Sequence, residues 1–440
     1  MTKLKDLLRS KLASASALLM LSMTVVNAGN YIYNLIMGRW LGPSLFADLS
    51  LIVTLLLVVT FLTAPIQMTA ARYSAIHTAD GDEKTLASLR RFIWFVALGL
   101  GLMLTVFFAI LAPALKSFFH TKSFLPFIIF GAALPFAMLQ SVERGMLQGR
   151  TNFKILAVSY QVEMWSRLLV SILLVALGLS VNGAVIGISL SFVFTWLVAR
   201  SAVTGLRSRE NISKEMRAEL LAFAAPVLVS QLGQILINNS DVILVKRFFE
   251  ASDAGRYAAL ALIGRIVFFA TWSVVTTMFP IVAQKQKMGE PHAHLLWVSL
   301  GIVAGVSLPI VLLTLFVPEW VVSILFGDKY LSIANLLWFY ALATTLYAMG
   351  NVVINYRLSL GMGRETGFAI AAGIAQVLGI IFFHQSLAQV VYVQVIVMAT
   401  LFLALMWHNF LHEKAVTLFR AWVVHRSEEH TSELQSPCNL

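Results

Sequence analysis

Residues 45–68 read LFADLSLIVTLLLVVTFLTAPIQM, a continuous apolar run with one charged residue, Asp48. The hydrocarbon core of a bilayer is about 30 Å thick, and a helix needs about 20 apolar residues to cross it. A strand of a membrane barrel needs only about 10 residues and alternates apolar with polar side chains. Because this run does not alternate and is long enough to span, it predicts a transmembrane helix.

Similar runs fill the rest of the chain. Of its 440 residues, 59% are hydrophobic and 12% charged, whereas soluble domains average about half and about a quarter. The sequence therefore predicts an all-α polytopic membrane protein of about twelve transmembrane helices. The predicted spans are residues 14–37, 45–68, 91–114, 124–147, 154–178, 182–203, 217–240, 255–283, 294–317, 332–356, 365–384 and 388–411.

The C-terminal end differs in style from everything before it. Residues 426–436 read RSEEHTSELQS, which resembles the translation of a sequencing adapter. We interpret residues 426–440 as a non-native tail, with an ordinary polar tail as the alternative, so that twelve spans is a minimum. The only cysteine, Cys438, lies in this tail, and no disulfide or thiolate metal site is expected elsewhere.

The loop charges predict the orientation. With the N-terminus inside, about 22 Lys and Arg fall on the cytoplasmic side and about 7 outside, as the positive-inside rule requires. We therefore expect a multi-pass protein of the bacterial cytoplasmic (inner) membrane with both termini in the cytoplasm. The net charge of +11 is explained by this topology and by anionic headgroups, so no nucleic-acid partner is expected.

Two similar halves are predicted. The longest central polar stretch divides the chain into a six-helix bundle at 1–205, a cytoplasmic linker at 206–216 and a second six-helix bundle at 217–425. Six spans per half give both halves the same orientation, as in parallel-repeat transporters. Each half also begins with three amides at helical spacing, here called the amide stripes: Asn27, Asn30 and Asn34, then Gln231, Gln234 and Asn238.

The amide stripes have two possible explanations. An amide facing lipid would lack hydrogen-bond partners, so each stripe should face the protein interior. Hydrogen bonds between helices explain this position, as does a water-filled cavity between the halves. Their occurrence at matching places in both halves favours the cavity, where they would bind substrate.

Few charges lie deep in the predicted spans, where each is costly and usually functional. Glu163 and Arg167 share one helix face at i and i+4, as either a structural ion pair or a functional site. Arg265 has no partner at i±4, so it faces Glu163, Asp48, Asp241 or an anionic ligand. Charges near span ends are expected to reach the membrane surface; these are Asp48, Glu143 and Arg144.

Several protein classes are excluded by missing motifs. The sequence has no Gly-x-x-x-x-Gly-Lys-Ser/Thr loop and is not its own ATPase. No span carries a His-x-x-x-His pair, and no metal or other cofactor is expected. The short outer loops leave no room for an extracytoplasmic catalytic domain, so a transporter is favoured over an enzyme.

Three short motifs carry a family resemblance. Residues 38–47 read GRWLGPSLFA, residues 147–149 read LQG, and residues 325–330 read LFGDKY. In this order they resemble the polysaccharide-biosynthesis or oligosaccharide (O-antigen-type) flippases of the multidrug/oligosaccharidyl-lipid/polysaccharide exporter superfamily. That resemblance extends over nearly the whole chain and implies two six-helix bundles in a V around a central cavity.

The resemblance also implies a cargo, a lipid-linked oligosaccharide on undecaprenyl pyrophosphate that is turned from the inner to the outer leaflet. Arg265 is then the expected phosphate contact with help from Arg167, the amide stripes would meet sugar hydroxyls, and Glu163 would couple transport to H⁺ or Na⁺. Membrane lipids, a glycan polymerase and glycosyltransferases are the implied partners. A multidrug or cation antiporter of the same superfamily and a non-transporting scaffold for glycan assembly are the alternatives.

Overall fold

The computed structural model describes residues 2–203, 205, 210–361 and 365–434, and all regular structure within them is helical. Residues 206–209 of the predicted linker and 435–440 of the predicted tail lie outside the described residues. Of the tail, residues up to Leu434 continue the last helix. The domain boundaries and the non-native origin of the tail stay predictions.

Thirteen α-helices follow one another in the described part of the chain, with one π-helical turn and one 3₁₀ segment. In chain order these are α1 (Thr2–Ala79), α2 (Glu83–Phe119), α3 (Leu125–Gly149), α4 (Phe153–Leu174), the π turn Val175–Leu179, α5 (Ser180–Ser201), α6 (Lys214–Phe248), α7 (Ala251–Gly264), α8 (Ile266–Lys287), α9 (Ala293–Phe316), α10 (Pro318–Phe326), the 3₁₀ segment Asp328–Leu336, α11 (Leu337–Ser359), α12 (Glu365–Phe382) and α13 (Leu387–Leu434).

The helices confirm the predicted polytopic all-α fold. Eight stretches of the described chain are long and apolar enough to cross a membrane. Two of them, Leu21–Ala79 and Phe153–Ser201, each hold two predicted spans. The shorter apolar helix Thr366–Phe382 and the α7–α8 pair cover the remaining two, which gives the twelve spans predicted from the sequence.

The first two spans are joined by a kink and not by a loop. Gly42 adopts φ 70° and ψ 170° inside the long helix α1, a backbone conformation that glycine reaches without a steric penalty. Pro43 follows it, and proline is suited to the first turn of a helix because it has no N–H to satisfy. The Gly-Pro pair of the GRWLGPSLFA motif therefore turns the chain between two spans.

The predicted eighth span, residues 255–283, is formed by two consecutive helices, because the helix is interrupted at Arg265 between α7 and α8. A side chain at Gly264 would overlap the ring of Tyr340, so glycine allows this close approach. The Thr344 hydroxyl donates a hydrogen bond to the Gly264 carbonyl oxygen, and the two oxygen atoms are 2.9 Å apart. The interruption thus places Arg265 against α11.

Each half has its own helix packing. In the first half α2 packs on α3, α4 packs on α5, and α3 also contacts α1 and α5. In the second half α11 is central and packs on α8, α9 and α13, while α6 packs on α12. Contacts between the halves run from α1 to α6 and α7. The long helix α1 is therefore the main link between the two bundles.

The halves meet closely at one end of the molecule, which the loop charges predict to be the outer end. Lys246 on α6 lies 2.6 Å from the Asp48 carboxylate on α1. Tyr330 donates its hydroxyl to the Gly38 carbonyl oxygen at 2.8 Å, and Gly255 packs directly on the Pro43 carbonyl. Together with Arg39, described next, these residues form what we call the outer contact.

Arg39 completes the outer contact from α1. Its guanidinium donates to the carbonyl oxygens of Ser323, Ile324 and Leu325 at the end of α10. Cations are favoured at the C-terminal end of a helix, where carbonyl groups lack intrahelical partners. The expectation that Asp48 reaches the membrane surface is wrong, because its carboxylate is buried between the halves against Lys246.

Candidate functional site

The first half contains a buried carboxylate that is shared by two arginines. One oxygen of Glu163 lies 2.7 Å from Nη1 of Arg144, and its other oxygen lies 2.7 Å from Nη2 of Arg167. Glu163 lies ten residues after Phe153, the first residue of α4, which corresponds to a depth of about 15 Å at 1.5 Å per residue. The predicted pair of Glu163 and Arg167 therefore exists, with a second cation that was not predicted.

The remaining bonds of the two arginines fix their orientation. Arg144 donates from Nε to the Ser159 hydroxyl and from Nη2 to the Ser159 carbonyl oxygen, both at 3.0 Å. Its guanidinium also lies over the Tyr160 ring, 3.9 Å from the centroid, a favourable cation–π position. Arg167 donates from Nη1 to the Asn30 side-chain oxygen at 3.2 Å. One member of the first amide stripe therefore contacts this cluster directly.

The cluster of Arg144, Glu163 and Arg167, here called the arginine cluster, carries an excess positive charge. Two guanidinium groups face one carboxylate, which leaves a net charge of +1 in a buried setting. Their side chains are 6%, 17% and 10% exposed, respectively. The Nε of Arg167 is buried without a hydrogen-bond partner. Because a buried charge is costly unless paired, the cluster is suited to a bound anion.

A neighbouring ion pair, formed by Arg90 and Glu143, has one positive and one negative charge and is therefore neutral overall. Glu143, fully buried, accepts two hydrogen bonds from Arg90 at 2.8 and 2.5 Å. The expectation that Glu143 and Arg144 reach the membrane surface is wrong, because both side chains turn inward and are buried. Glu143 pairs with one cation, Arg90 on α2, whereas Glu163 pairs with two arginines.

Arg265 in the second half is paired with Asp241, one of the partners left open by the sequence. Its Nη2 donates to one oxygen of the fully buried Asp241 carboxylate at 2.8 Å. The other carboxylate oxygen accepts from the hydroxyls of Tyr340 at 2.7 Å and Tyr257 at 3.2 Å. Asp241 is therefore well satisfied, and its pair with Arg265 is neutral overall.

The second amide stripe belongs to a hydrogen-bonded network. Tyr347 donates to the Gln234 side-chain oxygen at 3.1 Å and accepts from Asn238 at 3.3 Å. Gln234 in turn donates to Asn351 at 3.4 Å, and Asn355 donates to the same Asn351 oxygen at 3.0 Å. Helix-to-helix hydrogen bonding thus accounts for Gln234 and Asn238, as one of the two explanations of the amide stripes predicted.

The amides are still partly accessible. Gln231, Gln234 and Asn238 are all intermediate in exposure, and Asn238 lines a small cleft together with Arg265 and Tyr347. In the first stripe, Asn27 is exposed, while Asn34 is half-buried and donates to the Asn30 carbonyl oxygen of its own helix at 2.8 Å. The substrate-binding role of both stripes stays a prediction.

Three parts of these networks were not predicted. Arg144 was assigned to the membrane surface, and neither Tyr347 nor Asn351 was considered. Asn351 and Asn355 share a helix face at i and i+4, a signal that could have indicated the polar side of α11. No comparable local pattern connects Arg144 on α3 with Glu163 on α4, because their contact depends on how two helices pack.

In the described residues, no three or more His, Cys, Asp or Glu side chains lie together as metal ligands would. The acidic side chains described above are instead paired with arginine or lysine. These side chains can therefore bind a polar or anionic ligand through hydrogen bonds and ion pairs.

Comparison with known proteins identifies the family and the fold. Residues 36–335 match the family described as "Polysaccharide biosynthesis protein". An inward-facing multidrug resistance MATE family transporter of the MOP superfamily has a similar structure, with a TM-score of 0.71 at 16% identity, covering 87% of this chain and 95% of that one. The lipid II flippase MurJ in an inward closed conformation gives a TM-score of 0.70 at 14% identity, covering 93% of each chain.

A MOP superfamily transporter from Pyrococcus furiosus Vc1 gives a TM-score of 0.65 at 17% identity, covering 92% of this chain and 96% of that one. No curated protein matches the chain. These structural neighbours are transporters and a flippase, not enzymes, and their TM-scores establish the shared fold. The chain is a multi-pass membrane protein with the MATE-type fold and belongs to the polysaccharide biosynthesis protein family.

Proposed function

We propose that this protein flips a lipid-linked oligosaccharide, carried on undecaprenyl pyrophosphate, across the bacterial cytoplasmic membrane by alternating access. Both termini would lie in the cytoplasm, in agreement with the loop charges. The family match to polysaccharide biosynthesis and the fold shared with a lipid II flippase support this cargo class.

The observation that carries the proposal is the excess positive charge of the arginine cluster. A pyrophosphate presents several anionic oxygens, and guanidinium groups bind such oxygens through short, charge-assisted hydrogen bonds. Arg167 has an unpartnered buried Nε, whereas Arg265 is neutralised by Asp241. We therefore propose Arg167, with Arg144, as the main phosphate contact and Arg265 as a secondary one.

The second half suits the glycan. Its cleft combines amides, hydroxyls and aromatic rings, which belong to Asn238, Tyr340, Thr344, Tyr347, Gln376 and Gln394. Sugar hydroxyls hydrogen-bond with amides and hydroxyls and pack on aromatic faces, and neutral polar groups of this kind fix the orientation of a ligand. The other members of the amide stripes would meet the glycan outside this cleft, while the polyprenyl chain stays in lipid; these members are Asn27, Asn30, Asn34, Gln231 and Gln234.

Glu163 is the proposed ion-coupling residue, since it is the carboxylate whose interactions a charged cargo would change. Coupling would use H⁺ or Na⁺. A glycan polymerase and glycosyltransferases would be the functional partners, since they extend and supply the cargo. For the scaffold alternative, the arginine cluster would have no ligand.

A multidrug or cation antiporter is disfavoured by the same charge. A cationic drug would be repelled by the net +1 of the arginine cluster, and the acidic groups described inside the two bundles are already paired with arginine. The cargo expected from the charge balance is anionic.

Binding selectivity tests the proposal. Purified protein in nanodiscs is mixed with farnesyl pyrophosphate, farnesol or a cationic dye, and its thermal unfolding midpoint is measured, since a ligand that binds the folded state raises it. We expect stabilisation by farnesyl pyrophosphate alone, reduced in Arg167→Gln. Stabilisation by the dye and not by the pyrophosphate would support the antiporter instead.

A further inference from the structure

We infer that Glu163 occupies the place of a cargo phosphate in the arginine cluster, so that binding of the anionic cargo requires Glu163 to take up one proton. The inference rests on the proposed function and specifies how cargo and ion are coupled. It selects H⁺ over Na⁺, and it makes proton and cargo bind together.

The geometry of the cluster supports the first part. Glu163 bridges two arginines with one oxygen on each, both at 2.7 Å, which is how two oxygens of a phosphate would bridge them. The other engaged donors of these arginines are held by protein oxygens of Ser159 and Asn30. The Nε of Arg167 has no partner, but the donors that bridge the two arginines are those that Glu163 now holds. A phosphate that binds both arginines at once therefore competes with the carboxylate for these N–H groups.

Proton uptake by Glu163 is expected because of the groups that would surround its carboxylate after a phosphate has displaced it. Once a phosphate has taken both guanidinium groups, Glu163 would be a partly buried anion beside another anion, which strongly favours its neutral form. Sodium would need several oxygen ligands, but two guanidinium groups flank this carboxylate and repel a cation. Protonation removes the charge without further ligands and leaves a hydroxyl that can donate to a phosphate oxygen.

The neighbouring helices offer no replacement cation. Among the described side chains, the charged and titratable groups that contact the arginine cluster are Arg144 on α3 and Tyr160 and Arg167 on α4, and Tyr33 on α1 lies close enough to interact with Arg167. α5, which packs along α4, carries one ionisable residue, Arg200, near its end. In the part of the chain that the structure describes, the cations paired with Glu163 are therefore the two that the cargo would occupy.

Two consequences are measurable. At pH values at which Glu163 is ionised in the free protein and protonated in the complex, binding takes up one proton. The affinity for the pyrophosphate should then rise about tenfold for each unit by which the pH falls. In addition, one proton leaves with each cargo molecule. The complex that moves outward still carries net negative charge, so the inside-negative membrane potential favours export.

The experiment measures proton uptake on binding. Farnesyl pyrophosphate is titrated into the full-length protein in nanodiscs by calorimetry at pH 7.5, in HEPES and in Tris, whose ionisation enthalpies differ. We expect the wild type to take up about one more proton per bound probe than Glu163→Gln. The variant should bind more tightly, with an affinity that varies less with pH. Glu143→Gln, which alters a carboxylate paired with one arginine in the same half, should keep the wild-type proton uptake.

The outcomes separate this inference from the proposed function. Equal proton uptake in the wild type and Glu163→Gln would overturn the inference while leaving pyrophosphate binding intact. If Glu163→Gln does not fold, the wild type still decides: a Kd for the probe that does not tighten as pH falls from 8.5 to about 6.5 overturns it. Absence of any binding to the wild type would contradict the proposed function as well.

Discussion

At the scale of single residues, two buried carboxylates hold the deep arginines: Glu163 is shared by Arg144 and Arg167, and Asp241 pairs with Arg265. Arg265 and Glu163 stand out because charges deep in a span are rare and usually functional. The i, i+4 contact of Glu163 with Arg167 was predictable since both lie on one helix. The contacts of Arg265 with Asp241 and of Glu163 with Arg144 join different helices, and sequence spacing carries no information on such contacts.

The pairing of Arg265 with Asp241 gives a test that separates stability from transport. Arg265→Ala should destabilise the protein by roughly 3–5 kcal/mol, because it leaves a fully buried carboxylate without its cation. The neutral double variant Asp241→Asn/Arg265→Gln should recover most of this loss, as measured by thermal unfolding in detergent. Recovery of stability without recovery of transport would show that the Asp241–Arg265 pair has a role in transport beyond stability, as the proposed cargo contact of Arg265 requires.

A double variant that is as unstable as Arg265→Ala would contradict the buried ion pair. Full transport by a stable double variant would remove Arg265 from the proposed substrate contacts while leaving the arginine cluster unaffected.

At the scale of helices, the existence of the spans was predictable and their interruptions were only partly so. The Gly42–Pro43 pair is visible in the sequence as a turn signal, and the structure places a kink there. The break at Arg265 is not visible, since it depends on Tyr340 packing on Gly264 and on Thr344 reaching the Gly264 carbonyl. Local pattern sets helix length, and tertiary contact decides where a helix is interrupted.

Gly255 tests the close helix contact at the outer end. A methyl group at this position would overlap the Pro43 carbonyl, so Gly255→Ala should separate α7 from α1 and reduce transport. Gly301→Ala is the matched control, because its added methyl group meets no atom within 4 Å and alanine is the better helix former by about 1 kcal/mol. Transport rates and unfolding midpoints of both variants provide the measurement.

Equal transport by Gly255→Ala and Gly301→Ala would show that the contact of α7 with Pro43 has no part in transport. Loss of transport in the Gly301 variant would indicate a general sensitivity of the helices to substitution.

At the scale of the whole molecule, composition and the long apolar runs predicted a polytopic helical membrane protein, and the fold agrees. What could not be predicted is how the bundles touch. The outer contact joins Asp48 with Lys246, Arg39 with the end of α10, and Tyr330 with Gly38. These pairs are separated by about 200 residues or more in the chain, and nothing local relates them. In alternating access, such a contact must break when the cavity opens outward.

A charge exchange tests this outer contact. Asp48→Lys and Lys246→Asp each place two like charges within the buried contact, where Lys246 is 2% exposed and Asp48 7%, so each should lower transport at least tenfold. The double exchange restores opposite charges and should recover much of the activity. Reaction of an introduced outer cysteine with a membrane-impermeant thiol reagent should be faster in the single variants. A double variant no better than either single one would contradict a direct pair.

The most direct test of the account is flipping in proteoliposomes that contain a fluorescent polyprenyl-pyrophosphate glycan, with quenching by an impermeant reagent reporting the exposed leaflet. We predict that wild-type protein moves the probe between leaflets. Arg167→Gln, at an equal reconstituted amount and with an equal unfolding midpoint, should flip the probe at least tenfold more slowly. Flipping that is equally fast in Arg167→Gln, or no faster with wild-type protein than in empty liposomes, would contradict it.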